Sequence, residues 1–263
     1  MGIIEAIILG IIQGLTEFLP ISSSGHIELG SVLLNIQAKD NLLFTVVVHF
    51  ATALSTVVVF YKDIWTIIKD FFSWKKESTS YILKLIISMV PVAIAGLFFE
   101  EQIASLFSGN VILVGSMLMV TGTLLALTYY SKKTVGEVTF GRAFIIGLSQ
   151  AVAIIPGISR SGSTIATALL LGVDKEKATR FSFLMVIVPI LGAAFLKVLD
   201  YVKDPTIAED IAFSTLLIGF LSAFIAGLIA CSWMIKIVKK GKLIYFAIYC
   251  FIIGAVSLII SLV

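Results

Sequence analysis

Long uninterrupted apolar runs recur along this chain, and they constrain its fold more than any other feature. One membrane-spanning helix needs about 20 predominantly apolar residues. The stretches that meet this requirement are 42–60, 81–99, 111–130, 181–200, 213–238 and 243–263. Because 59% of the 263 residues are hydrophobic and 13% are charged, a water-soluble domain would lack the polar side chains to cover its surface. The sequence therefore predicts an all-α integral membrane protein with six transmembrane helices.

Two further apolar regions, 1–34 and 143–173, differ from these six stretches. Proline, glycine and polar residues interrupt each of them near its centre. Irregular backbone at membrane depth is tolerated only where it is buried in protein or lines a cavity. We therefore expect two re-entrant helical hairpins, each entering and leaving the membrane on the same side.

Positive charge is concentrated in alternate connections between the apolar stretches. The connections rich in lysine and arginine are 61–80, 131–142, 174–180 and 236–242, and those poor in them are 35–41, 100–110 and 201–212. By the positive-inside rule, the first group is cytoplasmic and the second external. The region 143–173 lies between two basic connections, so it must begin and end inside. The opposite orientation of 1–34 is supported mainly by symmetry.

A short internal repeat relates the two broken regions. I-S-S-S-G at 21–25 matches I-S-R-S-G at 158–162, and Gln13 matches Gln150 at the same offset of about 137 residues. Each match lies in a half that contains one broken hairpin and three spans. An odd number of crossings between equivalent elements inverts the second half relative to the first.

The sequence thus predicts one membrane domain, 1–263, built as an inverted-topology repeat. The first repeat is 1–130, and the second is 137–263. Folds of this kind commonly place their site near the membrane midplane, where interrupted helices meet.

Arg160 is the polar residue that says most about function. It is the one arginine outside the basic connections, and a charge at the bilayer centre costs roughly 3 kcal/mol on insertion scales. The surrounding glycines and serines predict a turn that leads into a helix, whose free N–H groups and the guanidinium suit phosphate oxygens. We therefore expect a phosphate or diphosphate site. The alternative is that Arg160 only pairs with Glu17 and holds the two hairpins together.

The first hairpin offers groups that complement an anion site. Gln13 and Glu17 are four residues apart and share a helical face, which suits a hard divalent cation such as Mg²⁺ or Ca²⁺. His26 is a candidate general acid or base, because its ordinary pKa lies near neutrality. The candidate nucleophiles are Ser22, Ser23 and Ser24. A lone histidine is more often structural, but this combination favours catalysis. His49, on the first span, is a weaker candidate for the same cavity.

With these residues in hand, the sequence resembles the undecaprenyl-diphosphate phosphatase family, membrane proteins associated with bacitracin resistance. The family's E/Q-x-x-x-E element and the following P-x-S-S-x-G-H correspond to 13–17 and 20–26. Its P-G-x-S-R-S-x-x-T motif corresponds to 156–164, and the segment 178–184 is also similar. The resemblance extends over essentially the whole chain.

The resemblance implies an activity and a role for each residue of these motifs. The enzyme would remove the terminal phosphate of a C55 polyprenyl diphosphate with the help of a divalent cation, and so recycle the lipid carrier for cell-wall synthesis. Glu17 and Gln13 would hold the cation, Ser23 or a water would be the nucleophile, His26 would move the proton, and Arg160 would hold the diphosphate. The further substrate-binding residues would be Ser22, Ser24, Gly157, Ser159, Ser161 and Thr164. The site would open to the external face of the plasma membrane.

A transporter or flippase for a lipid phosphate or a small anion is the competing class, because inverted repeats with broken helices are also a transporter design. Clustered carboxylate, serine and histidine side chains favour hydrolysis, since a carrier needs no nucleophile. Besides the lipid substrate and the bilayer, no nucleic-acid partner is expected, because cytoplasmic connections account for the net charge of +3. A homodimer is left open, as are the length and saturation of the polyprenyl tail.

Overall fold

The computed structural model describes residues 1–34, 36, 38–107, 109–131, 134–203 and 211–261, and these ranges are predominantly helical. This confirms the predicted all-α class. In chain order the helices are α1 (Ile3–Phe18), α2 (Ser23–Leu33), α3 (Ala38–Val59), α4 (Tyr61–Phe72), α5 (Lys76–Phe98), α6 (Glu100–Leu106), α7 (Val111–Leu127), α8 (Phe140–Val152), α9 (Arg160–Leu170), α10 (Lys175–Lys203), α11 (Phe213–Lys239) and α12 (Ile244–Ile260). A short 3₁₀ turn, Thr128–Tyr130, extends α7.

Helices long and apolar enough to cross a membrane are present among the described residues. Three qualify alone: α5, α11, and α7 taken together with its 3₁₀ turn. A fourth is formed only if α3 and α4, which meet at a bend of 74°, are counted as one span. The helix α12 is apolar but has 17 residues. The chain is therefore an integral membrane protein. Of the connections predicted to be external, 35–41 lies partly and 201–212 largely outside the described residues.

Both broken regions form a pair of helices joined by a short turn, α1 with α2 and α8 with α9. A serine begins the second helix of each pair. The Oγ atom of Ser22 accepts a hydrogen bond from the Gly25 N–H at 3.3 Å, and that of Ser159 accepts one from the Gly162 N–H at 3.0 Å. Such caps satisfy backbone donors that the first turn of a helix leaves unpaired. Two of the polar residues that interrupt the apolar regions are therefore helix caps.

Helix positions recur at a constant interval between the two halves of the chain. The starts of α1, α2, α3 and α5 are at 3, 23, 38 and 76, and those of α8, α9, α10 and α11 are at 140, 160, 175 and 213. Packing follows the same pattern, because α1 packs against α11 and α8 packs against α5. The first helix of each pair thus contacts a helix from the other half.

Small residues allow α1 and α11 to approach each other closely. A Cβ atom on Gly10 would lie 2.6 Å from the Gly219 carbonyl oxygen, and one on Gly14 would lie 2.5 Å from the Ala223 carbonyl oxygen. Both distances are well below van der Waals contact, so only glycine fits at these two positions. Close helix packing of this kind is typical of membrane interiors. It holds the next turn of α1, which carries Glu17, inside the protein.

The largest apolar cluster lies directly beside Glu17. The ring of Phe18 packs edge-on against that of Phe183 with centroids 5.6 Å apart, and Phe60 contacts the same ring at 6.0 Å. Edge-to-face pairs add to the stabilisation from burial because the positive edge of one ring meets the negative face of another. This cluster forms one apolar boundary of the candidate site.

Candidate functional site

The turns of the two hairpins pack against each other. A Cβ atom on Gly25 would lie 3.0 Å from the Gly157 Cα atom. The Ser161 hydroxyl donates a hydrogen bond to the Leu19 carbonyl oxygen at 3.3 Å. Because this contact joins the start of α9 to the end of α1, it brings Arg160 next to the last turn of α1.

Gly157 is held in a backbone conformation that favours glycine. Its φ is 96°, and a Cβ atom there would lie 2.5 Å from the Val114 carbonyl oxygen. The Thr121 hydroxyl of α7 donates to the Gly157 carbonyl oxygen at 3.0 Å and accepts from the Ser159 N–H at 2.9 Å. The second turn is therefore fixed to α7 as well as to the first hairpin.

We expect Gly157→Ala to lower the thermal unfolding temperature of the detergent-purified protein clearly. The left-handed conformation alone costs an alanine about 1–2 kcal/mol, and the contact with Val114 adds to this. The matched control is Gly141→Ala in α8, where a Cβ atom would meet nothing within 4 Å and should leave the unfolding temperature unchanged or higher. Equal unfolding temperatures for the two variants would contradict the strain argument.

Glu17 is the centre of a polar cluster drawn from both hairpins and α3. One of its carboxylate oxygens accepts a hydrogen bond from Arg160 Nη2 in an ion pair. The other accepts from Ser23 Oγ at 2.6 Å and from Gln13 Nε2 at 2.9 Å. His49 Nε2 lies 3.6 Å from that second oxygen. The structure thus brings four of the residues that the sequence singled out around one buried carboxylate, whose side chain is 6% exposed.

The Arg160–Glu17 pair links the hairpins, as the purely structural alternative requires, but it does not use up the guanidinium. Arginine has five N–H donors in a planar fork. Among the described residues, one hydrogen bond is formed by the Arg160 side chain, which is 25% exposed. The remaining N–H donors of Arg160 can therefore bind the oxygens of an anionic ligand, and the exposed part of the guanidinium stays accessible while the ion pair is formed.

His26 shares a face of α2 with Ser23, but its ring is turned toward α12. Nδ1 donates to the Ser22 carbonyl oxygen at 2.7 Å, so Nε2 is an acceptor and the Tyr249 hydroxyl donates to it at 2.9 Å. The two rings also stack, with centroids 5.6 Å apart. Sequence reasoning placed His26 beside the reacting serine; in the structure it contacts Tyr249, and to exchange protons with a substrate Nε2 must first leave this partner.

Other polar residues of the two motifs have partners within the protein, mostly in their own turn, and Thr164 also contacts the Ser182 hydroxyl of α10. Ser22 Oγ lies 3.4 Å from Ser24 Oγ, and Ser159 Oγ lies at the same distance from Ser161 Oγ. The Thr164 hydroxyl donates to a backbone carbonyl of its own helix at 2.9 Å. These contacts account for helix capping and turn geometry, and the substrate-binding role of these residues and of Gly157 stays a prediction.

A narrow cavity of about 10 Å³, the size of one water molecule, adjoins the ion pair. Its lining residues are Glu17, Phe18, Thr52, Ala53, Thr56, Arg160, Ser161, Ser182, Phe183, Val186 and Ile190. Sequence reasoning missed Thr52, whose hydroxyl lies 3.4 Å from Gln13 Nε2 and donates to the His49 carbonyl oxygen at 2.9 Å. It also missed Tyr249. A lone polar group in an apolar helix gives no signal of what it faces.

The Oε1 atom of Gln13 is buried and has no hydrogen-bond partner among the described residues. Buried acceptors are rarely left unpaired, and an amide oxygen suits a hard cation that prefers oxygen ligands. Because Gln13 turns its Nε2 atom toward Glu17, the two side chains would share one ion only after this amide rotates. Within the described ranges, no group of three or more histidine, cysteine, aspartate or glutamate side chains could hold a metal ion. A cation bound by Gln13 and Glu17 would therefore need phosphate oxygens and water to complete its ligands.

Comparison with known proteins agrees with the motifs. The model of the family described as bacitracin resistance protein BacA matches residues 6–256. A relative from Bacteroides fragilis (strain ATCC 25285), named undecaprenyl-diphosphatase, is 52% identical over 98% of this chain and 97% of its own length. Relatives with the same name from Christiangramia forsetii and Methanococcus vannielii are 54% and 40% identical, over 99% and 94% of this chain and 99% and 96% of their own.

Proposed function

The chain belongs to the bacitracin resistance protein BacA family, and we propose that the cluster around Glu17 and Arg160 is its active site. The protein is an undecaprenyl-diphosphatase, which removes the terminal phosphate of undecaprenyl diphosphate. The observation that carries the site assignment is a buried carboxylate that contacts both a serine hydroxyl and a guanidinium from separate hairpins. A transporter is not favoured, because the curated relatives are named as hydrolases.

Arg160 binds the diphosphate in this proposal. Its free N–H donors face a substrate whose phosphate oxygens carry several negative charges, and its ion pair with Glu17 orients the guanidinium before the substrate arrives. Phosphoryl transfer depends mainly on positioning and on stabilising charge at the transferred group. The N-terminal turn of α9 adds backbone N–H groups at the same end.

Ser23 supplies the nucleophile, unless a water molecule takes its place. Its hydroxyl already donates to Glu17, so the carboxylate is placed to accept the proton as the oxygen attacks the terminal phosphorus. The bond from that phosphorus to the bridging oxygen breaks, and the monophosphate lipid leaves. If Ser23 attacks, water then hydrolyses the phosphoserine. His26, released from Tyr249, exchanges protons with the reacting groups.

A divalent cation, Mg²⁺ or Ca²⁺, is proposed as the cofactor because Gln13 carries a buried, unpaired oxygen one helical turn from Glu17, and rotation of its amide would turn that oxygen toward the carboxylate. When bound, such an ion neutralises charge on the phosphate oxygens. Glu17 is the one carboxylate of this pair, since Gln13 is uncharged, so the pair offers a cation a single negative charge. This arrangement fits an ion that binds together with its substrate rather than one that is held permanently.

We expect Ser23→Ala to slow phosphate release by at least about 100-fold, because removal of a nucleophile or of its proton path forfeits catalysis of that order. The matched control is the adjacent Ser24→Ala, which should lose no more than about tenfold, since its hydroxyl lies beside Ser22 rather than Glu17 and its predicted part is one hydrogen bond to the substrate. The assay is phosphate release from a prenyl diphosphate with and without Mg²⁺. Equal losses in the two variants would remove Ser23 from the mechanism.

Six transmembrane helices and two re-entrant hairpins are the topology we propose, with inverted repeats at 1–130 and 137–263. The recurring helix starts support it, and so does the packing of α1 and α8, each of which contacts a helix of the other half. The 74° bend after α3 and the exposed Trp65 and Trp74 suit a helix α4 that lies along the cytoplasmic interface.

The proposed location is the plasma membrane, with the active site open to the external face. Basic connections on one side support this orientation, and Arg180 of α10 pairs with Asp63 of α4 at 2.7 Å, which joins two of those connections. The substrate is a membrane lipid, so the site must be reached from within the bilayer. A homodimer stays a prediction.

A further inference from the structure

A second cavity, of about 420 Å³, lies away from the catalytic cluster. It is formed by the C-terminal ends of α7, α9 and α11 and the starts of α10 and α12, where three of the four basic connections meet. Leu169, at the far end of α9 from Arg160, lines it. Leu169 is nine positions after Arg160, and each position rises 1.5 Å along a helix, so the cavity is about 13 Å along α9 from the catalytic arginine.

Two lysines without acidic partners line this cavity. Lys175 and Lys240 form no ion pair among the described residues, whereas the neighbouring Lys177 and Lys239 pair with Glu137 and Glu176. Asp174, next to Lys175, accepts hydrogen bonds from the backbone N–H groups of the first turn of α10. Within the described ranges, the positive charge that lines this cavity is therefore not neutralised by an ion pair.

The ammonium group of Lys175, the first residue of α10, lies at the wall of the cavity. A Cβ atom on Gly241 would lie 2.8 Å from Lys175 Nζ, so this nitrogen rests on the turn between α11 and α12. The remaining lining is mixed. Ser131 and Thr134 contribute hydroxyl groups, and Leu169 with Leu243 contributes apolar surface.

This combination suits a phosphate group attached to a lipid. Basic pockets between membrane helices on the cytoplasmic side bind anionic headgroups, and the volume is that of an ordinary small-molecule site. A free inorganic phosphate would fill a small part of it and would leave the apolar wall uncovered. Tyr129, exposed at the rim, is of the type enriched at the level of lipid headgroups.

We propose that this cavity is a second lipid site, separate from the active site, in which Lys175 and Lys240 hold the phosphate of an anionic phospholipid. Its placement on the cytoplasmic side rests on the proposed topology, but its ligand chemistry does not. The site requires no catalytic residue, so lipid binding there and hydrolysis at Glu17 are measured independently.

Native mass spectrometry of the full-length protein in detergent, with added palmitoyl-oleoyl phosphatidylglycerol, tests the proposal. Each lysine near a membrane surface contributes about 1 kcal/mol, so Lys175→Ala/Lys240→Ala should weaken binding of the specific lipid about 25-fold. The matched control, Lys62→Ala/Lys69→Ala in α4, removes the same charge from another basic connection and should change binding at this site by less than about twofold, because neither lysine lines the cavity. Lys175→Arg/Lys240→Arg should restore it to within about threefold.

Each outcome decides the matter. Undiminished lipid binding by the double alanine variant, or an equal loss in the α4 control, would overturn the proposal. Displacement of the lipid by millimolar inorganic phosphate would show that free phosphate is the ligand. Hydrolysis of undecaprenyl diphosphate at the wild-type rate by the double alanine variant is expected and shows that the fold is intact. A variant that loses both lipid and activity, without rescue by the arginine pair, also counts against a separate site.

Discussion

Replacing Arg160 with alanine should reduce phosphate release from undecaprenyl diphosphate by about 1,000-fold or more. An arginine that stabilises a transferring phosphoryl group contributes on the order of 10³ to 10⁵ to the rate. Arg160→Lys should recover little of this, because an ammonium group keeps the charge but loses the planar fork that reaches Glu17 and a phosphate together. The control is Arg142→Ala, which removes a half-buried arginine that lies outside the site and donates to the Glu137 carbonyl oxygen at 2.7 Å.

A loss of stability must be separated from a loss of chemistry in this test. Arg160→Ala leaves the Glu17 carboxylate buried and unpaired, and breaking a buried ion pair costs about 3–5 kcal/mol. The double variant Glu17→Gln/Arg160→Ala removes both charges, so it should regain much of the unfolding temperature but none of the activity. Arg160→Ala protein that released phosphate at the wild-type rate would remove the guanidinium from the mechanism.

Glu17→Gln should slow phosphate release by about 100- to 10,000-fold, since the amide can neither accept the Ser23 proton nor supply a negative ligand to a cation. The amide is nearly isosteric, but it leaves the Arg160 guanidinium without its ion-pair partner, so the unfolding temperature must be measured beside the rate. The control is Glu5→Gln, near the start of the same helix, where the carboxylate caps the Gly2 N–H. That variant should stay within about threefold of the wild-type rate.

Cation binding is a second readout of the Glu17 variant. Mn²⁺ titration followed by electron paramagnetic resonance, with a non-hydrolysable diphosphate analogue present, should show binding to the wild-type protein and loss of it in Glu17→Gln. Gln13→Ala should raise the Mg²⁺ concentration needed for half-maximal activity while leaving the maximal rate closer to that of the wild-type protein. Unchanged Mn²⁺ binding in both variants would place the ion elsewhere.

Much of the fold was predictable because each local signal has a single physical cause. Apolar runs predicted membrane helices, and the interruptions predicted paired helices, since serine and glycine cap and turn the backbone at Ser22, Gly157 and Ser159. The residues around Glu17 were also predicted, because a charged group in an apolar region needs a partner. In each case the signal lies within a few consecutive residues or in the cost of burying a charge.

The orientation of side chains was not predictable in the same way. Helical spacing placed His26 on the face of Ser23, but its ring stacks on Tyr249, a residue more than 200 positions later. Thr52 and Thr121 contribute hydroxyl groups to the site and to the turn beside it from two other helices. No sequence pattern marks them, because their partners are set by how helices from distant parts of the chain pack.

The sequence by itself determined that this chain is a helical membrane protein with two broken helical regions, and its motifs named the family and most of the central cluster. Composition, caps and the cost of an unpaired charge are local quantities that can be read along a chain. The tertiary structure alone decided that Ser23 and Arg160 contact opposite oxygens of the same Glu17 carboxylate, that His26 turns toward Tyr249, and that Lys175 and Lys240 line a second cavity. These are matters of distance between helices, which depend on close packing at positions such as Gly14 rather than on any single segment.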